Sequence, residues 1–82
     1  MTEYFIRVIA PDGEQQWAFI TREYRIGGAR DFIYAEAFGL EAAVRVGHQI
    51  HANAVPGTFV EAIETTHDMF ALPIEMRKII NA

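Results

Sequence analysis

The chain contains no cysteine and no serine, and its only lysine is Lys78. Without cysteine there are no disulfides and no thiolate metal ligands. A small secreted domain ordinarily needs such staples, so a cytoplasmic setting is expected. The usual nucleophiles of acyl transfer are missing, and none of the threonines stands beside an obvious base. Neither the P-loop pattern nor the glycine pattern of dinucleotide-binding folds occurs. An enzyme is therefore not expected, and no cofactor is called for. Crossing a membrane takes roughly 20 consecutive apolar residues, and no run approaches that. The segment Met1-Thr2-Glu3-Tyr4 lacks a basic stretch leading into an apolar one, so no signal peptide is expected. Positive charge is scarce: the net charge is −4, with six arginines beside Lys78. Nucleic-acid binding is driven largely by neutralising phosphates, so this balance argues against such a partner.

What remains is enough for one core. The 82 residues are 51% hydrophobic, which suits a single domain over residues 1–82. Residues 4–9, Tyr-Phe-Ile-Arg-Val-Ile, read as a strand that ends at Ala10-Pro11-Asp12-Gly13, a turn sequence. Residues 15–21 read as the returning strand of a hairpin. Residues 22–29, with Gly27-Gly28 and three charges, read as an exposed loop, and residues 31–38 as a third strand. From Leu40 the period changes to that of an amphipathic helix, with Leu40, Ala43, Val44, Gly47, Ile50, His51 and Ala54 as its apolar stripe. Residues 53–57, with Pro56, end it. Residues 58–65 form a further strand, and Pro73 opens a short helix over residues 74–80. The expected fold is α+β: an antiparallel sheet of about four strands in the order β-β-β-α-β-α. One long helix packs on one face, and a short helix ends the chain.

Side chains alternate across a strand, so each strand divides into two sets. The small and aliphatic set is Ile6, Val8, Ala18, Ile20, Ile33, Ala35, Ala37, Val60 and Ala62, which suits close packing of the helix. The other set is aromatic: Phe5, Trp17, Phe19, Phe32, Tyr34, Phe38 and Phe59, with Arg7, Glu36 and Glu61 among them. One helix covers one face. The aromatic face is left for the C-terminal segment (Met69, Phe70, Leu72, Ile74, Met76, Ile79), for a second copy in a homodimer, or for a foreign partner. On the last reading, the binding residues are Phe5, Arg7, Trp17, Phe19, Tyr34, Glu36, Phe59 and Glu61. Arg22, Arg25 and Arg30 join them from the loop.

Three further groupings carry weaker chemistry. His48 and His51, one helical turn apart, are the best metal-ligand candidates, with His67, Glu64 or Asp68 as third ligands. His51 falls in the apolar stripe, where a hydrogen-bonded core histidine is ordinary, so no metal site is expected. Arg22, Arg25 and Arg30 surround Gly27-Gly28, a pair able to form an anion-binding nest. Glu61, Glu64, Asp68 and Glu75, with Glu41, make the late part of the chain acidic, a surface that can compete for a basic groove.

Residues 32–43, Phe-Ile-Tyr-Ala-Glu-Ala-Phe-Gly-Leu-Glu-Ala-Ala, resemble a strand-to-helix join that recurs in small phage and mobile-element proteins. With the flanking hairpin and strand, the resemblance spans residues 3–65. It departs from the common form in placing Gly39 where a capping serine is frequent. Proteins of this build include phage accessory products and some anti-CRISPR inhibitors. The resemblance implies a stoichiometric inhibitor that docks on a host defence (CRISPR–Cas) complex in the host cytoplasm, and it transfers no functional residue. The leading expectation is a non-enzymatic protein-binding domain. The alternative is a homodimeric nucleic-acid-binding module that stacks bases on the sheet aromatics and holds phosphates at residues 22–30.

Overall fold

The computed structural model describes residues 2–65. Over these the fold is α+β, a five-stranded antiparallel sheet with one helix packed on it. The short helix expected over residues 74–80 lies outside the described residues. No helix among the described residues is long and apolar enough to cross a membrane.

Strand β1 (Glu3–Ile9) and strand β2 (Gln15–Ile20) form the expected hairpin. Its turn uses Gly13 at φ 90°, in the left-handed region. The Gly13 and Ala10 amides donate to Ala10 and Glu14 carbonyls, each at 2.8 Å, and the Asp12 carboxylate accepts the Glu14 amide at 2.9 Å. Strand β3 (Ile26–Ala29) then pairs with β2, placing Gly27 opposite Phe19 and Gly28 opposite Ala18. Residues 26–29 are thus strand and not exposed loop. The reason lies across the ladder. A side chain at Gly27 would start 2.6 Å from the Phe19 ring, and one at Gly28 would run into the Gln16 amide. The two glycines leave room for longer neighbours to lie over β3, covering backbone that glycine alone exposes.

The strand expected over residues 31–38 is not there. Phe32–Tyr34 form a single 3-10 turn, and only Phe38–Gly39 extend as the short strand β4, paired with Glu3 and Tyr4 of β1. Asp31 diverts the chain, because its carboxylate accepts the Ile33 amide at 3.0 Å and so favours a capped turn. Helix α1 (Leu40–Asn53) begins and ends where its periodicity indicates. Strand β5 (Phe59–Glu64) then pairs with β1 along Tyr4–Ile9. Since β5 occupies one side of β1, β2 and β4 share the other. β4 and β5 each run antiparallel to β1, so β4, α1 and β5 form a split β-α-β unit with β1 between its strands.

The core under α1 contains Ile6, Ala18, Phe38, Ala43, Val46 and Val60, with Tyr4, Val8, Ile20, Ile26, Ala42 and Ile50 against it. Ala62 is buried as well. Four assignments change. Phe38 belongs to the helix face and not the aromatic set, Ile33 and Ala37 are exposed, and Ala35 packs on the opposite side. The helix is also rotated from the expected stripe: Val46 is buried, while Leu40 and His51 are exposed. Both stripes share Ala43, Gly47 and Ile50.

Gly27→Val should destabilise the fold by about 2–3 kcal/mol by expelling Phe19 from its seat. In a Phe19→Ala background the same change should cost much less. Urea denaturation of the four chains measures the coupling, and strictly additive costs would show that the ring and the glycine are independent.

Candidate docking surface

The face opposite α1 is built on one row across three strands. Arg7 is the register partner of Glu61 on β5 and of Trp17 on β2. Its Nη2 donates to Glu61 Oε2 at 3.1 Å and its Nη1 to Gln15 Oε1 at 3.4 Å. The guanidinium lies 5.9 Å from the centre of the Trp17 ring, within cation–π range. The Arg7 and Glu61 side chains are 8% and 9% exposed. Charges so placed are occupied with one another and are not offered to a partner.

Beside that row the aromatic side chains close up. Phe32, carried in by the 3-10 turn, meets Phe5 and Trp17 edge-on, each at 4.8 Å between ring centres. Trp17 is 8% exposed and Ile63 is fully buried, with Phe5, Phe32 and Ala35 packed on them. Phe5, Phe19 and Phe59 are half-buried. Phe5, Trp17 and Phe32 therefore form a second small core with Ile63 and Ala35, not an open surface. Ile63 belongs to neither set read from the sequence, although it continues the alternation of Phe59 and Glu61 along β5. The C-terminal apolar residues proposed as a cover, Met69 to Ile79, lie outside the described residues.

Glu36 also serves the fold. β1 and β2 are paired only as far as Arg7 and Trp17, while β2 continues to Ile20. There the Glu36 amide donates to the Ala18 carbonyl at 3.2 Å, and its carboxylate accepts the Ile20 amide at 2.9 Å. Glu36 stands in for the missing strand.

The residues left outward are different ones. Ile33 is 74% and Tyr34 60% exposed, adjacent on the 3-10 turn. That turn is fixed before and after them. Asp31 caps it, the Tyr34 and Ala35 amides donate to the Asp31 and Phe32 carbonyls, Phe32 is wedged between rings, and Glu36 is stitched to β2. Of the site residues read from sequence, Tyr34 alone belongs to this projection.

Comparison with protein-family models, with curated proteins and with solved structures finds no match.

Of the arginines, Arg30 pairs with Glu14 at the surface, and Arg22 and Arg25 are exposed. The glycines between them run as extended strand, so Gly27-Gly28 form no anion nest. Burial of Glu61 against Arg7 removes it from the expected acidic surface, and Glu64 is half-buried. His48 and His51 are both exposed on α1, so His51 is not a core histidine. Among the described residues no three His, Asp or Glu side chains gather to hold an ion. His67, Asp68 and Glu75 lie outside the described residues.

Removing one partner of a buried ion pair strands the other charge. Glu61→Ala should therefore cost about 3–5 kcal/mol, and the double change Arg7→Met with Glu61→Leu should restore most of it. Chemical denaturation tests both. A single mutant within about 1 kcal/mol of the parent would mean the pair is solvated.

Proposed function

We propose that this is a non-enzymatic protein-binding domain whose contact is made by the turn at residues 31–36. One observation carries the reading: Ile33 and Tyr34 stand exposed on a turn whose flanking residues are all committed to the fold. Single exposed apolar side chains are ordinary on any protein. Two in succession on a segment held in place from both sides are a binding feature, because association then spends little free energy on ordering the loop. Tyrosine is enriched where interfaces concentrate their energy. The lack of serine and cysteine is consistent with a partner held by contact alone.

The more specific version is the one the architectural resemblance implies. A phage-encoded inhibitor that docks on a host defence complex in the host cytoplasm needs a preformed contact and no chemistry. This turn supplies such a contact. Two other readings lose their support. Stacking of nucleic-acid bases on the sheet requires open rings, yet Trp17 is buried and Phe5, Phe19 and Phe59 are half-buried. A homodimer through the same face would meet Phe5, Trp17 and Phe32 already packed on one another.

A photoactivatable phenylalanine analogue at position 34 should, in cells that naturally express the chain, form a discrete adduct with a different protein. Ile33→Asp should abolish that adduct without unfolding the domain. Adducts only between copies of the chain, or none at all, would overturn the reading.

A further inference from the structure

The hairpin tip joining β2 to β3 carries a feature the fold does not need. Tyr24 has φ 60°, the only non-glycine residue with positive φ among the described residues, and its side chain is 90% exposed. The turn demands this backbone. The Thr21 amide donates to the Arg25 carbonyl at 2.7 Å, the Tyr24 amide to the Thr21 carbonyl at 3.0 Å, and the Arg25 amide to Thr21 Oγ1 at 3.1 Å. Glycine or asparagine fills such a left-handed position with least strain, and a bulky aromatic fills it poorly. The ring offsets none of that strain through packing, since it is almost wholly in solvent. Strain held without structural return is a mark of a functional position.

Its neighbours indicate the partner. Arg22 and Arg25 flank Tyr24, both exposed and neither in an ion pair with a described residue. Two arginines and Glu23 make the tip net positive in a chain whose net charge is −4. Tyrosine and arginine are among the side chains that most often anchor protein interfaces. A potential of opposite sign to the rest of the molecule also orients an approaching partner.

We propose that Arg22, Tyr24 and Arg25 form a contact site for an acidic protein surface. The arginines pair with carboxylates, and the Tyr24 ring packs between the apolar stems of that surface. The site stands on its own observations and does not depend on Ile33 and Tyr34. Nucleic acid shares the negative charge, but holding it requires neutralising several phosphates, and the tip carries one net positive charge, enough for a small carboxylate patch.

The test is an amide-resolved NMR titration of the whole chain at low salt, with poly-L-glutamate in one arm and polyuridylate in the other. Poly-L-glutamate should shift the amides of residues 21–26, and Arg22→Gln with Arg25→Gln should weaken that binding at least about tenfold. Tyr24→Gly should weaken it several-fold while raising the melting midpoint by about 4–8 °C through release of backbone strain. Tighter binding of polyuridylate at the same amides would reassign the site to nucleic acid and overturn the proposal. It would equally be overturned if neither polymer shifted the tip, or if Tyr24→Gly lowered stability. The readout sits on the hairpin amides, so its failure is separable from failure of crosslinking at Tyr34.

Discussion

β1 and β2 part company after Arg7 and Trp17, and the architecture on that side of the sheet follows from how the gap is closed. β2 runs on to Ile20 beside β3, which leaves one line of backbone groups in need of partners. A half-buried amide or carbonyl left unbonded costs on the order of 1–3 kcal/mol. Glu36 meets the need with one donor and one acceptor. Once Glu36 is beside β2, Phe38 and Gly39 fall into register with the start of β1, and α1 can begin only at that end of the sheet. The helix then passes back over β1 to deliver β5 to the far side. The same placement carries Phe32 onto Phe5 and Trp17, and it leaves Ile33 and Tyr34 with nowhere to go but outward.

The sheet is thus two-sided without being symmetrical. Aliphatic packing under the helix is supported by burial alone. The other side depends on a charged pair, whose stability comes from mutual satisfaction and not from area. Arg7 and Glu61 face each other across β1 and β5, and Arg7 is shared with Gln15 and the Trp17 ring. A pair like this contributes little net stability but penalises any register that separates its members. A one-residue slip of β5 would drive Glu61 under the helix and Ala62 out of it. The pair therefore specifies strand alignment, a different task from binding a partner.

How far the sequence discloses this depends on whether local chemistry and tertiary context agree. The first hairpin is legible because Pro11-Asp12-Gly13 encodes its own turn, and the helix and β5 because their periods are clear. Agreement fails at Gly27-Gly28. Two glycines read as loop, and what makes them strand is a phenylalanine ring eight residues earlier. It fails again at Phe32-Ile33-Tyr34, whose β propensity is overridden by the Asp31 cap and the wedge of Phe32 between two rings. Phe5, Trp17 and Phe32 share one side while Phe38 turns to the other, and alternation cannot tell an open face from a small second core. Of the candidate sites, Tyr34, Arg22 and Arg25 are legible in the sequence, while alternation places Ile33 on the helix face.

The places where local rules are broken have a pattern. By strand register, Glu3 of β1, the tip after Ile20 and the start of α1 at Leu40 all lie at one end of the sheet. There Tyr24 takes a backbone conformation poorly suited to it, and Leu40 heads a helix without being buried. Ile33 and Tyr34 follow from the stitch at Ile20, which ties their turn to the same stretch of β2. Strain and exposure spread at random would reflect only the limits of a small core. Val55, beyond the end of the helix, is the exception, but Tyr24, Ile33, Tyr34 and Leu40 gather where these turns converge, beside a sheet whose Arg7, Glu61 and Trp17 are already committed to each other.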